Sequence, residues 1–587
     1  NDWTVANLAA TDVVPDSPTN NFATFNPLDI SGTGLTYSEG NLKAERTSSS
    51  FAQAYSSFSF DSGKWYAEFL LDTGNSGVGV IAGTTNPGAN RYMGQDSYTY
   101  GYYSNGQKVN NGSYTSYGTS YSVAADGSGD VIGVYIDADN GNIYFSKNGT
   151  VQNSGTAAFT SVTGPFRFAI ASESNCFHIA NFGQDDTFSG LKTSGSAAAS
   201  DSNGIGKFYD TIGLSDYLAP CTSNLADITI GPGQDTQADD HFNTVLYTGT
   251  GSNISVSGVG FSPNWVWLKS RSAGYDNMLF DTVRGTNKIL KTNSIAAEIT
   301  TVSTSLLSFD SDGFTYGTEA SVNTASSTNV AWNWKGGGSA STNTDGSGID
   351  SSVSANTDAG ISILTYTGTG NTSHTIGHGL GKTPAFVMSK SRDTGSGAFS
   401  YWFIKWNGLT SNNNLLLNFT GAQTNIAVNY AGGGWSDFDS SNTTTIVPRI
   451  GYTGSSVDSV NKSGEDYVAY VFAEVEGFSS IGSFTGNGAD DGPFVYTGFR
   501  PAWVMTKRID SGNDWHIMDD QRNPINVMDG LLFANLVNAE SSDAAYNRDF
   551  LSNGFKIRGS EAYVNASGGT FVYMAFAHSP YKFANAF

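Results

Sequence analysis

Cysteine is almost missing from this chain: Cys176 and Cys221 are the only two. That excludes a disulfide-stapled scaffold, and we read both as free thiols. Charge is scarce too, at 14% of residues, and lopsided: 29 basic groups stand against 52 acidic ones, a net of −23. No basic stripe exists to replace phosphate counterions, which argues against nucleic-acid binding. Acidic groups spread along the chain instead suit a surface kept soluble in salt. No apolar run reaches the roughly 20 residues of a membrane-crossing helix, so no membrane insertion is expected. Helical apolar periods are hard to find, with residues 294–307 as a short exception. The first residue is Asn1 rather than methionine, so either a leader was removed or the chain starts inside a longer polypeptide.

What the chain does have is 70 glycines and 13% aromatic residues in 587. With Ser, Thr and Asn abundant and turn residues everywhere, the reading is all-β: tandem antiparallel sandwiches with little helix, in several domains. One phrase organises the second half. Pro263-Asn264-Trp265-Val266-Trp267-Leu268-Lys269 returns as Pro384-Ala385-Phe386-Val387-Met388-Ser389-Lys390 and as Pro501-Ala502-Trp503-Val504-Met505-Thr506-Lys507. The prolines lie 121 and 117 residues apart, a domain-sized period. Tyr247-Thr248-Gly249-Thr250-Gly251, Tyr366-Thr367-Gly368-Thr369-Gly370 and Phe484-Thr485-Gly486-Asn487-Gly488 precede their prolines by 16, 18 and 17 residues. Downstream, Val330-Ala331-Trp332-Asn333-Trp334 matches Val468-Ala469-Tyr470-Val471-Phe472 and Val572-Tyr573-Met574-Ala575-Phe576. Proline before an aromatic, β-branched run suits the start of a strand, so each copy opens, turns and closes on strands. An Asp-Gly turn at 309–314 and an Asn-Gly turn at 550–555 match between the first and third copies; the second is the most diverged.

In the first part, Gly63-Lys64-Trp65-Tyr66-Ala67-Glu68-Phe69, Gly129-Asp130-Val131-Ile132-Gly133-Val134, Ile143-Tyr144-Phe145-Ser146-Lys147-Asn148-Gly149 and Pro165-Phe166-Arg167-Phe168-Ala169 follow in order. These phrases resemble the SPRY domain. The resemblance implies a bent two-sheet sandwich whose edge loops bind a partner, usually protein, without catalysis. Residues 91–112 are unusually rich in Tyr, Asn and Gly, so the family's protein specificity does not carry over to them. The predicted organisation is 1–205 as the SPRY-like sandwich, 206–240 as a connector, 241–338 as repeat 1, 339–357 as a flexible Gly/Ser/Thr linker, 358–477 as repeat 2 and 478–587 as repeat 3. The whole arrangement, ending at Phe576-Ala577-His578-Ser579-Pro580-Tyr581-Lys582-Phe583-Ala584-Asn585-Ala586-Phe587, is similar to virion appendage proteins of marine bacteriophages. There, lectin-like sandwiches are strung along tail fibres or other surface fibres.

Motifs that promise chemistry mostly read as structure. Gly377-His378-Gly379-Leu380-Gly381-Lys382-Thr383 is no phosphate loop, because Ile376 stands where its first glycine belongs and Pro384 follows where a helix must start. The six histidines lack metal-motif spacing, and Asp310-Ser311-Asp312-Gly313 reads as a turn rather than a calcium loop. Adjacent Asp239-Asp240, Asp490-Asp491 and Asp519-Asp520 point oppositely on a strand and make no catalytic pair. The candidate ligand-binding residues are aromatic: Tyr98, Tyr100, Tyr102, Tyr103, Trp402, Trp406 and Trp515. These are the types that stack on sugars or anchor interfaces, although alternating aromatics are more often core or cross-strand pairs. The expectation is a non-enzymatic appendage on a virion surface, without cofactor or metal, as a homo-oligomer and by resemblance a trimer. Its partners would be other virion proteins and a host surface glycan or protein. A spacer fibre, a secreted adhesin and a polysaccharide depolymerase remain as alternatives.

Overall fold

The Lys64–Leu71 strand shows how the first unit forms: after Lys64 every residue but Glu68 is aromatic or apolar, and all of them are buried. The computed structural model describes residues 17–580 apart from 18–19, 33, 48, 73–76, 84–89, 174–175, 194–197, 302, 394–399, 426–432, 440 and 450–457. Asn1 and the stretch 581–587 lie outside the described residues. The chain divides into two compact units, Asn1–Asp227 and Ile228–Phe587. Both are almost wholly antiparallel β.

In the first unit one seven-stranded sheet runs Phe25–Ser31, Ala52–Ser56, Phe166–Ser172, Gly77–Ala82, Thr99–Tyr103, Gln107–Asn110, Ser113–Ser116. The other runs Thr150–Val151, Asn142–Lys147, Val131–Asp137, Lys64–Leu71, Cys176–Asn181, Lys43–Arg46, Leu35–Ser38. Phe25, Phe69 and Phe168 surround Phe182 at centroid distances of 5.7, 6.0 and 6.1 Å. Glu68 is buried among donors: the N–H groups of Tyr209 and Asp210 at 2.8 and 3.0 Å and the Asn181 amide at 3.1 Å. Burial pushes its carboxyl up to about 8. Cys176 and Cys221 are buried free thiols.

In the second unit each repeat builds one large and one three-stranded sheet, and repeat 2 adds the pair Gly434–Trp435 and Pro448–Arg449. The shared large-sheet order is an opening strand, a closing strand, the lysine-bearing strand of the repeated phrase and its hairpin partner. The opening strands are Phe242–Thr248, Ile361–Thr367 and Ser479–Thr485; the closing strands are Thr328–Trp334, Asp466–Phe472 and Thr570–Pro580. The lysine strands are Trp265–Ser270, Phe386–Ser391 and Phe499–Arg508, and their hairpin partners are Met278–Asp281, Phe403–Trp406 and Trp515–Asp519. Pro263 and Pro384 precede their strands, whereas Pro501 lies within its strand at a register shift, where a missing N–H costs no ladder bond. Both predicted hairpins form, pairing Leu306–Asp310 with Gly313–Tyr316 and Arg548–Leu551 with Gly554–Ile557.

The Tyr-Thr-Gly phrase is explained by a partner that sequence reasoning passed over. Short helices Ala320–Asn323, Asp458–Asn461 and Ala562–Asn565 each end on a fully buried asparagine. The side-chain oxygens of Asn323, Asn461 and Asn565 accept from the N–H of Thr250, Thr369 and Asn487, each at 2.8 Å. A Cβ at Gly249, Gly368 or Gly486 would lie 2.2, 2.2 or 2.3 Å from a backbone oxygen of the helix end, so only glycine fits.

Three expectations are corrected. Residues 339–357, polar enough to read as a linker, instead form Ser341–Asn343, Gly348–Ile349 and Ser351–Asn356, and the first and last of these extend the large sheet of repeat 2 at its edge. An edge needs backbone pairing more than apolar side chains, so Gly/Ser/Thr composition does not exclude it. Residues 206–240 are not a surface connector. Phe208, Tyr217, Ala219 and Cys221 are buried in the first unit, and Ile230 and Ala238 enter the core of the second. Residues 294–307, the suspected short helix, contain the strand Ile299–Thr300 and the start of Leu306–Asp310.

Candidate functional site

The repeats of the second unit close on one another in a cycle, and that closure decides which predicted site residues reach solvent. Lys269 Nζ donates to Val537 O of repeat 3 at 2.8 Å, Lys390 to Ile295 O of repeat 1 at 2.9 Å, and Lys507 to Thr420 O of repeat 2 at 3.2 Å. The hairpin-partner strands repeat the cycle. Asn277 Nδ2 reaches Phe533 O and Leu536 O at 3.0 and 2.9 Å, Trp402 Nε1 reaches Lys291 O at 2.8 Å, and Trp515 Nε1 reaches Leu416 O at 3.2 Å. The N–H groups of Glu540, Glu298 and Gln423 donate to the carbonyls of Arg271, Arg392 and Ile509, each at 2.8 Å. Closing-strand aromatics meet where the repeats converge: Phe576 lies 5.8 Å from both Trp334 and Phe472. Burial pushes Lys269 down to about 8, and Lys390 and Lys507 down to about 7.

Trp402, Trp406 and Trp515 are therefore not ligand-facing. All three are 0% exposed in the core shared by the repeats, and two of them bond the neighbouring repeat. Tyr102 and Tyr103 are also buried: Tyr102 stacks on Phe145 of the opposite sheet at 5.1 Å, and the Tyr103 hydroxyl donates to Met93 O at 2.9 Å. Tyr98 and Tyr100 remain half-exposed. Tyr98 packs against the cluster of Met93, Tyr103 and Val109, and Tyr100 meets Phe159 edge-on at 5.0 Å beneath Lys108 Nζ, itself 5.2 Å from that ring.

Beside them lies a surface that the sequence search missed. Ser113–Ser116 ends its sheet and is exposed along its whole length. Tyr114, 45% exposed, stands 6.1 Å from Tyr92 and 5.9 Å from Tyr103, and Tyr92 lies 5.9 Å from Phe51. The signal was a lone tyrosine in the polar run 110–116. An exposed edge with aromatic rings offers both backbone pairing and contact area to a partner.

The other suspected chemistry is absorbed by structure. Asp312 accepts from the N–H groups of Gly260 and Gly258 at 2.7 and 3.1 Å, which holds its carboxyl low and makes the motif a turn. His378 is buried, bonding Asn442 O at 3.0 Å and the N–H of Leu380 at 3.2 Å. Asp519 faces the core, paired with Arg522 at 2.6 Å, while its neighbour Asp520 pairs with His578 at 2.7 Å. Among the described residues, no group of three His, Cys, Asp or Glu side chains converges as a metal site.

The family described as Domain of unknown function (DUF7483) matches residues 237–580, more than half of the chain. The chain belongs to the DUF7483 family. Residues 64–185 match the SPRY domain, covering the edge just described. Among solved structures, the SPRY domain of human HERC1 aligns at 20% identity over 27% of this chain and 96% of its own, with a TM-score of 0.22. The TRIM65 PSpry domain aligns at 13% over 27% and 89%, with a TM-score of 0.23, and a stonustoxin structure at 23% over 27% and 27%, with a TM-score of 0.21. No curated protein matches. The SPRY match gives the chain a recognition-type module and makes protein partners plausible. The DUF7483 part includes the cyclic core of three repeats and the buried tryptophans.

Proposed function

We propose that this is a non-enzymatic recognition protein that docks a partner along the aromatic edge of its SPRY unit. The observation that carries this is the fully exposed strand Ser113–Ser116, with Tyr114 beside half-buried Tyr92 and buried Tyr103. Edge backbone supplies directional hydrogen bonds, and tyrosines supply contact area at small entropic cost. The setting we propose is the surface of a phage particle, where the partners are neighbouring virion proteins or a host surface glycan or protein. Its support is the ordered set of sequence phrases and the acid-rich, cysteine-poor composition. A closed cycle of three repeats lets one chain offer a near-threefold body. The homotrimer expected by resemblance would add copies of the SPRY edge and raise avidity.

Adhesion to host cells or envelope extracts tests the reading. The full chain adheres and Tyr114→Ser with Tyr92→Ser loses most of that adhesion at unchanged folding. A chain that adheres to nothing is a spacer instead, and new reducing ends released from host polysaccharide would make it a depolymerase.

A further inference from the structure

The cycle of repeats is covered at two of its three seams and open at the third. Where repeat 2 meets repeat 1, Ile363 on the opening strand is buried, and a Cβ on Gly336, just past the closing strand of repeat 1, would lie 3.3 Å from its Cδ1. Where repeat 3 meets repeat 2, the equivalent Ile481 is buried and its N–H donates to Glu474 Oε1 at 2.7 Å. The register equates Ile363 and Ile481 with Thr244, since these residues pair with Tyr470, Met574 and Trp332 of the closing strands. At the seam between repeats 1 and 3 there is, among the described residues, a cleft of about 580 Å³ beside Thr244.

Its lining has the character of a site rather than a packing fault. Thr244 lines it, is 5% exposed, and its Oγ1 has no hydrogen-bond partner among the described residues. A buried hydroxyl left without a partner costs free energy that isoleucine at the same position avoids, so a hydroxyl here is informative. Across the cleft Asp520, 5% exposed, holds the half-exposed His578 ring at 2.7 Å through Nδ1. Asn243 and Gln521 add amide groups, and Ala502 and Ala577 give it an apolar patch. Donors and acceptors both line a volume in the range of small-ligand sites. Two carboxylates, Asp239 and Asp520, disfavour an anionic ligand, and His578 is paired with Asp520. Acceptors on two carboxylates and donors on two amides and an imidazole match vicinal hydroxyls, which both donate and accept.

We propose that the cleft binds a neutral saccharide, with Asp520 and His578 bonding its hydroxyls and Thr244 lining the wall beside them. The choice of a sugar rests on the recognition reading given under Proposed function. At the other two seams the chain itself supplies the cover, at Gly336 beside Ile363 and at Glu474 on the Ile481 N–H.

The test applies the full chain to an array of defined neutral saccharides and titrates the best binder calorimetrically. Thr244→Ile installs the residue that the two closed seams carry. We expect it, like Asp520→Asn, to weaken binding roughly tenfold or more, and Thr244→Ile to leave the melting temperature at or above that of the parent. Tyr114→Ser should bind the saccharide unchanged. Equal binding by the parent and both cleft variants overturns the proposal. So does an array on which the parent binds nothing. If in either case adhesion still depends on Tyr114, the cleft proposal fails alone and the recognition reading stands.

Discussion

Two of the three seams that close the second unit are ionic and the third is apolar. Where repeat 2 meets repeat 1, Arg284 pairs with Asp281 at 2.5 Å and with Glu298 at 3.0 Å, Arg392 of repeat 2 joins Glu298 at 2.9 Å, and the Tyr470 hydroxyl donates to Asp281 at 2.8 Å. Where repeat 1 meets repeat 3 the same set recurs: Arg522 with Asp519 and Glu540, Arg271 with Glu540, and the Trp332 indole N–H to Asp519 at 2.9 Å. At the third seam the equivalent positions are Trp406, Leu409, Gln423 and Ile509, and Met574 replaces the tyrosine or tryptophan donor. The backbone bonds are the same at all three, so the fold needs the strands in this order but not the charges. Replacing a buried ion-pair set by well-packed apolar residues is often neutral, while removing one member leaves a charge uncompensated. The comparison suggests that the charges select which repeat pairs with which, and that the apolar seam supplies adhesion.

The variants that break this comparison most severely remove one charge or one core ring. Arg284→Leu strands Asp281, leaves Glu298 to Arg392, and is expected to cost about 3–5 kcal/mol in denaturant unfolding, with Arg522→Leu alike. Trp406→Ala at the apolar seam should cost a similar about 3–5 kcal/mol. Copying the apolar seam with Asp281→Leu plus Arg284→Leu should cost less than Arg284→Leu alone, and a larger cost would show the charges to be indispensable. Next comes Lys390→Met, which leaves Ile295 O without its donor at about 1–3 kcal/mol.

The lysines also set a pH dependence. Burial holds folded Lys390 and Lys507 at about 7, against about 10.4 in the unfolded chain. Between those values the unfolded state binds more protons, so their contribution to stability rises with pH through that window and is least below it. Glu68 in the first unit runs the other way. Its folded value of about 8, above about 4.3 unfolded, makes a contribution that is full below the lower value and lost as pH rises to the upper. Calorimetry at pH 6 and pH 9 should move the two units in opposite directions, and Lys390→Met with Lys507→Met should flatten the trend of the second. The smallest expected change is Tyr114→Ser, within about 0.5 kcal/mol for stability because the ring is half-exposed; its effect lies in binding.

Much of this architecture was legible. The repeated phrase marked the lysine strands, and the SPRY-like phrases marked the strands Lys64–Leu71, Val131–Asp137, Asn142–Lys147 and Phe166–Ser172. The role of the repeated lysine was not, because its acceptor lies in a different repeat for each copy. The same holds for Trp402 and Trp515, whose burial depends on the neighbouring repeat. Asn323, Asn461 and Asn565 went unseen because a Val-Asn pair carries no periodicity. The polar strands at 341–356 escaped because edge pairing is written in backbone. Of the candidate site, Tyr98 and Tyr100 were named and lie at the strand two places in from the exposed edge, while Tyr114 was passed over and Tyr102 and Tyr103 are buried on opposite faces of the sheet.

That residues 228–587 behave as one closed body is tested most directly by hydrogen exchange on Lys390→Met. The substitution lies in repeat 2 and touches repeat 1. A closed cycle predicts that the closing strands Thr328–Trp334, Asp466–Phe472 and Thr570–Pro580 lose protection together. Loss confined to Asp466–Phe472, with the other two unchanged, would contradict it.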